Sequence, residues 1–167
     1  MHVNQAVARA LPALEQAIRA FKPVPGPAGE SVAKWLTERA LREPAEAAVC
    51  LRLSRGELTG VYALCAAQVT LDDADRAELG GVHYRTQPAI LIAQFARART
   101  SPGIGEELLL HAIGTARRVL AHIGATVLVV DPFDEQTAAM WREHFGFRDS
   151  QHPVPGNPGL QRQWLSL

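Results

Sequence analysis

Cysteine, lysine and aromatic side chains are scarce in this chain of 167 residues, and neither sign of charge is in surplus, because 17 basic residues face 17 acidic ones. The two cysteines, Cys50 and Cys65, lie inside apolar runs with no Cys-x-x-Cys spacing and no paired histidines. A disulfide framework or a zinc site therefore has no support, and both read as buried inert thiols. The balanced charge excludes a strongly basic, nucleic-acid-coating surface, although a local patch can exist within a neutral total. No uninterrupted apolar run reaches the roughly 18 residues of a membrane span. The N-terminus also lacks the basic, apolar, small-residue order of a secretory signal, so a cytoplasmic protein without membrane contact is expected. What is present, 47% apolar and 20% charged residues, is the profile of one globular domain over residues 1–167. Fifteen of the 17 basic residues are arginine, which favours fork-like phosphate contacts and equally fits a genomic base composition.

Apolar positions Val7, Leu11, Leu14 and Ile18 recur at helical spacing between Val3 and Ala20, so a first amphipathic helix is expected despite Pro12. The proline- and glycine-rich stretch Lys22 to Gly29 reads as an extended connector. A second helix is expected from an N-cap at Ser31 through Trp35, Leu36, Ala40 and Leu41, ending before Pro44. Ala47 to Leu53 and Leu58 to Val69, joined by Ser54-Arg55-Gly56-Glu57, form a hairpin signal. Thr70 to Gly81 is acidic and aperiodic, a surface loop with at most a short helix. Ala89 to Phe95 is nearly all apolar, as a central strand covered on both faces would be. It leads through Gly103-Ile104-Gly105 into a long helix whose face carries Ile104, Leu108, Ala112, Ala116, Leu120 and Ile123, with Gly124 beyond its end. Thr126 to Val130 is a second buried strand, and the strand, helix, strand order predicts a right-handed parallel crossover. Glu135 to His144 is a short helix ended by Gly146, and Leu160 to Leu167 closes the chain as a candidate last strand. No internal repeat or low-complexity segment is present.

A strand that hands over to a helix through Gly-x-Gly favours an anion, because unpaired backbone N–H groups and the helix dipole face it together. The same glycines also serve as a plain steric solution to a tight bend, and both readings stand. The order of elements from hairpin to Phe145-Gly146-Phe147 tips the balance. The chain resembles the GNAT superfamily of acyl-CoA-dependent N-acetyltransferases over roughly Trp35 to Leu167, with residues 1–30 a divergent N-terminal helix and connector. Within it, the chain is most similar to the toxin branch, partners of ribbon-helix-helix antitoxins that acetylate the amino acid on charged transfer RNA. The resemblance is carried by Lys34-Trp35-Leu36-Thr-Glu-Arg39-Ala40-Leu41, Gly60-Val-Tyr62-Ala63-Leu64, Pro88-Ala89-Ile90-Leu91, Gly103-Ile104-Gly105-Glu-Glu-Leu108-Leu109-Leu110, Val129-Val130-Asp131 and Glu143-His144-Phe145-Gly146-Phe147.

The resemblance implies an α/β (α+β) fold, a mixed central sheet flanked by helices. It also implies acetyl transfer from acetyl-CoA, a co-substrate bound between the Ala89–Ala96 and Thr126–Val130 strands, to a primary amine by direct attack. Phe95, Ala96 and Arg97 would hold the pantetheine; Ser101, Gly103, Ile104 and Gly105 the pyrophosphate, with Arg97 and Arg99 adding charge. Solvated surface arginines are the other reading of that pair. Two departures stand out. The glycine turn, Thr100-Ser101-Pro102-Gly103-Ile104-Gly105, is shorter than the family's when counted from Pro88, and Pro102 offers no N–H. The tyrosine that reprotonates the departing thiolate in the family is replaced by Arg142, four residues before Gly146. Arginine donates no useful proton, so Arg142 acts there either as an electrostatic stabiliser or as a solvent-facing charge.

An α-amine is about a tenth neutral at pH 7 and an unperturbed lysine about one part in a few thousand, so a site with no evident base suits the first. His83, Tyr84, His111 and His144 are candidate bases in type only, since a lone histidine is more often structural. Tyr62 and Tyr84 could replace the missing acid only near the thioester. For transfer RNA, Arg39 and Arg42, three apart on one helix face, are the proposed phosphate contacts; Arg52, Arg55, Arg117 and Arg118 are further candidates. Ordinary surface pairing with Glu38, Glu43 and Glu46 is the competing reading. Trp35 reads as core rather than a stacking platform. No metal is implied, and a homodimer is an open option. The alternative from another class is a catalytically degenerate domain that senses acyl-CoA or binds a protein partner.

Overall fold

The structure, a computed structural model, describes residues 12–40, 47–123 and 127–167. Val3, Val7 and Leu11 of the first expected helix, Leu41 to Pro44 with Arg42, Glu43 and Glu46, and Gly124 and Thr126 lie outside the described residues, as does the side chain of Ile123. The elements are α1 (Pro12–Ala20), α2 (Pro27–Glu38), β1 (Ala48–Ser54), β2 (Glu57–Thr70), α3 (Asp73–Glu78), β3 (Thr86–Arg97), α4 (Ile104–Ile123), β4 (Val127–Val130), α5 (Glu135–Phe145), β5 (Arg148–Val154) and β6 (Asn157–Ser166). The strands are hydrogen-bonded in the order β1-β2-β3-β4-β6-β5. β3 and β4 run parallel from Ala89↔Val127 to Ile92↔Val130, while β1–β2, β4–β6 and β5–β6 are antiparallel. The sheet is thus mixed and flanked by helices, as the order of elements predicts.

The chain divides into two compact units: residues through Cys65 with Ala93–Ala112, and Ala66–Ile92 with Ile113–Leu167. In the first, the hairpin turns on Arg55 (φ 51) and Gly56 (φ 84), closing Ser54 against Glu57. Two left-handed residues in a two-residue loop match the twist of the flanking strands. Leu14 and Ile18 of α1 and Val32 and Leu36 of α2 form one buried cluster with Val49, Leu51, Leu58, Val61 and Ala96, and Trp35 packs half-buried against it. Trp35 is therefore core, as its apolar stripe predicts.

Helix α2 corrects the expectation for its start. It begins at Pro27, with Gly26 at the N-cap (φ 131) and no side-chain cap, so Ser31 lies inside the helix. Proline at the first helical position has its φ pre-set and lacks only an N–H that would be unpaired there anyway, so it opens a helix as readily as it breaks one. The connector shrinks accordingly to Lys22–Gly26, and Pro23 forms a β-bridge with Ala98.

In the second unit, Val69, Leu71, Ala89, Val127, Val129 and Trp164 make a separate buried cluster. α3 is a short helix capped by the Asp72 carboxylate, which accepts the Asp75 N–H at 2.7 Å. β5 is a second correction, since Arg148 to Val154 had no strand reading. Its sequence Arg-Asp-Ser-Gln-His-Pro-Val buries only Ser150 and Val154, because β5 is an outer strand. An edge tolerates polar residues and Pro153, whose missing N–H would break a central ladder. Among the described residues no helix is long and apolar enough to cross a membrane, and no group of three or more His, Cys, Asp or Glu could hold a metal ion.

Leu36 is 1% exposed at the centre of the first cluster. Leu36→Ala is expected to lower stability by about 2–5 kcal/mol, read as a lower urea midpoint with an unchanged slope.

Candidate functional site

The strand-to-helix turn is held from two sides. On one, the Ala98 N–H donates to the Thr59 carbonyl of β2 at 2.8 Å. On the other, the Val24 N–H donates to the Arg97 carbonyl (3.1 Å) and the Arg99 N–H to the Lys22 carbonyl (3.0 Å), so the N-terminal connector continues the pairing where β3 ends. Arg97 and Arg99 do not share a strand face, because β3 stops at Arg97 and Arg99 is exposed in the turn. Ser101 N–H closes back on the Ala98 carbonyl at 3.1 Å, and Gly103 enters the helix at φ 83. That left-handed value favours glycine.

A Cβ placed on Gly103 or Gly105 would meet no atom within 4 Å, so the space in front of both glycines is open. The opening amides of α4 have no acceptor within the helix and lie at the positive end of its dipole. Open space, donors without an acceptor inside the helix and positive potential together suit a phosphate group. Of the residues expected to line it, Phe95, Arg97, Ser101, Ile104 and Gly105 are half-buried, Gly103 is exposed, and Ala96 is buried in the first cluster.

Helix α4 is seated on the hairpin through one face. A Cβ on Gly60 would stand 3.2 Å from a Leu108 methyl and 3.3 Å from the Ile104 Cδ1, so only glycine admits this approach without a shift. One turn along, Arg52 donates from Nε and Nη2 to the two Glu107 carboxylate oxygens at 3.0 and 2.9 Å, and from Nη1 to the Thr59 hydroxyl at 2.9 Å. The guanidinium holds the Glu107 carboxyl below its usual 4.5. A further turn along, the hydroxyl of fully buried Tyr62 lies 2.7 Å from His111 Nδ1, with the Cys50 thiol 3.9 Å from the same nitrogen. His111 is therefore engaged by a phenol, a pairing that no sequence spacing announces. Cys50 is buried as expected, and Cys65 is half-buried.

Arg142 lies on α5, whose start is a capping box between Asp134 and Thr137 and whose end is the left-handed Gly146 (φ 72). The Phe147 N–H reaches back to the Trp141 carbonyl (3.1 Å), and the Trp141 ring packs against Phe145 and, edge-on, Phe147. The Arg142 guanidinium donates to Glu135 at 2.6 Å and to both oxygens of Asp149 at 3.2 and 3.3 Å. Glu135 first, then Asp149, hold it in its charged form. Buried Gln163 donates to Asp149 (2.7 Å) and to the Ala138 carbonyl (3.1 Å), so the network ties α5 to β5 and β6. Arg142 thus offers a fixed cation flanked by two carboxylates and no proton.

The remaining candidates are dispersed. Arg39 is exposed at the end of α2, Arg55 at the hairpin turn, and Arg117 and Arg118 on α4, with Arg118 donating to Thr115 Oγ1. Tyr84 is exposed, with the His83 ring edge-on to it at 5.1 Å, and His144 is exposed on α5. Arg162 and Asp131, which sequence reading did not pair, form a two-point ion pair at 2.6 Å beside the end of β4, visible only once the β4–β6 register is known.

No protein-family model matches the chain, and no curated protein matches it by sequence. Solved structures do. A tyrosine-to-phenylalanine mutant of KacT superposes with a TM-score of 0.75 at 16% identity, covering 99% of this chain and 92% of that one. AtaT complexed with acetyl-methionyl-tRNAfMet gives 0.69 at 16%, covering 89% and 86%. AtaTR bound with AcCoA gives 0.66 at 16%, again 89% and 86%. The chain has the fold of these GNAT-type toxins.

Two expectations follow from the ion pairs. A carboxyl group whose folded pKa is depressed stabilises the fold above its unfolded value and loses that contribution as pH falls through the folded value. Glu107 is therefore expected to titrate below 4.5 in the folded chain and to return toward 4.5 in Arg52→Met, followed by carboxyl NMR. Arg142→Met removes two partly exposed pairs, so its melting temperature is expected to drop measurably but by less than that of Leu36→Ala.

Proposed function

We propose that this chain transfers an acetyl group from acetyl-CoA to a primary amine, with the amino group of an aminoacyl-tRNA as the leading acceptor. The observation that carries the reading is the β3–α4 turn, where open space on the side-chain side of Gly103 and Gly105 adjoins the opening amides of a long helix, which have no acceptor within it. The fold shared with AtaT and KacT supports it, since AtaT occurs with acetyl-methionyl-tRNAfMet and, as AtaTR, with AcCoA. Phe95 to Arg97 form the pantetheine wall, with Ala96 buried behind it and the Arg97 carbonyl held by Val24. Ser101, Gly103, Ile104 and Gly105 receive the pyrophosphate, and the Arg97 and Arg99 side chains supply the charge that the Pro102 nitrogen cannot. Arg39 and Arg42 are the proposed contacts to transfer-RNA phosphates, and a ribbon-helix-helix antitoxin is the proposed protein partner.

In the reaction the neutral amine attacks the thioester carbonyl carbon, the tetrahedral intermediate collapses, and the carbon–sulfur bond breaks to release the coenzyme thiolate. The amine's surplus proton leaves to solvent. Arg142, read from the sequence as the counterpart of the family's proton donor, would contribute only a positive charge there, offset by Glu135 and Asp149. General acid catalysis is worth about 10² to 10⁴, whereas holding two reactants in place reaches effective molarities of about 10⁵ M or more. A thiol with a pKa near 8.5 leaves tolerably without help. Slow transfer is the expected outcome. The feature favouring a coenzyme sensor instead is that the Arg142 guanidinium is held by Glu135 and Asp149 and donates no proton.

Thermal unfolding with and without acetyl-CoA tests the reading. Ligand at about 100 times its dissociation constant adds roughly 2.7 kcal/mol to stability, so a clear rise in melting temperature is expected. Incubation with charged transfer RNA and with small α-amines should then release free coenzyme thiol. A rise without thiol release on any amine leaves the sensor, and no rise at millimolar acetyl-CoA overturns both.

A further inference from the structure

We propose that Arg52 is a positioning residue that sets the affinity of the β3–α4 turn for an anionic coenzyme by neutralising Glu107, an inference that rests on the coenzyme reading above. Helix α4 opens Ile104-Gly105-Glu106-Glu107, so two carboxylates occupy the first turn of the helix whose N-terminus would receive phosphate. Acidic residues there suit the helix dipole but oppose an incoming anion. Glu107 is three residues into the helix, about 4.5 Å along its axis, and therefore inside the screening length of about 8–10 Å from the opening amides. An uncompensated charge at that distance is felt by a pyrophosphate.

Arg52 removes it. Its Nε and Nη2 take the two carboxylate oxygens at 3.0 and 2.9 Å, and its Nη1 is anchored on the Thr59 hydroxyl at 2.9 Å. That hydroxyl donates in turn to the Arg52 carbonyl at 3.0 Å, and the Thr59 carbonyl accepts the Ala98 N–H that begins the turn. The arginine is thus pre-oriented by the same residue that holds the turn, and it draws the Glu107 carboxylate down onto the hairpin. Glu107 is 63% exposed and Arg52 32%, an arrangement that adds little to folding. Binding of a multiply charged ligand is where its loss registers.

Titration of the full chain with acetyl-CoA and with S-acetylpantetheine, which has no phosphate, at low ionic strength separates charge from shape. Arg52→Met is expected to weaken acetyl-CoA about tenfold, a gap that closes at high salt, and to leave S-acetylpantetheine unchanged. Glu107→Gln is expected to bind acetyl-CoA as tightly as the unmodified chain or more tightly, and the double variant Arg52→Met/Glu107→Gln to recover to within about twofold. Equal weakening by Glu107→Gln and Arg52→Met, or equal loss of both ligands, means that the pair is only a clamp and overturns the proposal. Should Arg52→Met fail to fold, weaker binding by Glu107→Gln alone is enough to overturn it. If the unmodified chain binds and the variants match it, this inference fails alone; if the unmodified chain does not bind, the coenzyme reading fails with it.

Discussion

The close approach of α4 to the hairpin at Gly60 is the contact from which the rest of the candidate site follows. Ile104 and Leu108 fit against Gly60 because no Cβ stands there. The next partners on that helix face, Glu107 and His111, then fall opposite Arg52 and Tyr62. The spacing is that of neighbours on a helix surface, and the strand register answers it, since Arg52 pairs with Gly60 and Cys50 with Tyr62. One helix face thus meets one sheet face through an apolar contact, an ion pair and a phenol–imidazole hydrogen bond on successive turns. A side chain at position 60 would press on the Leu108 and Ile104 methyls, which must then give way at the start of the helix.

The legible parts of the sequence were those in which local chemistry and global packing agree. Arg55-Gly56 states its turn, the β3–turn–α4–β4 order states a parallel crossover, and Gly146 states where α5 stops. Each signal lies within a few residues of what it specifies. The misread parts depend on context that sequence does not carry. Pro27 opens a helix where a run of prolines and glycines reads as coil, because proline's effect depends on its position in the helix and not on its presence. Arg148 to Val154 is polar because it lies at the edge of the sheet, and its strand character comes from β6 beside it rather than from its own alternation.

The candidate site divides the same way. The glycine turn and Arg142 are visible in the sequence, and the structure adds what each is attached to. Lys22 and Val24 hold the turn from a connector that reads as a spacer, through backbone groups that leave no mark on residue type. Glu135 and Asp149 flank Arg142 from the start of α5 and from β5. The Asp149 pairing depends on β5, whose polar sequence does not announce a strand. Arg52, one arginine among several candidates for phosphate contact, proves to be committed to Glu107 and Thr59.

Under the proposed function, coenzyme binding and group transfer would draw on different parts of this chain. Every residue proposed to hold acetyl-CoA belongs to the first compact unit, whereas Arg142 belongs to the second, where its partners are structural. The hydrogen bonds that hold the turn and those that hold Arg142 share no residue, so a change in one set leaves the other in place. On that proposal affinity and turnover would be separable, and the acceptor bears on which matters. An amine that is already partly neutral near pH 7 needs no base, and a thiolate that is a tolerable leaving group needs little acid, so holding the two together carries most of the rate. On the proposed reading, the glycine turn and the charge balance proposed for Arg52 at its mouth would govern the outcome more than the residue at position 142.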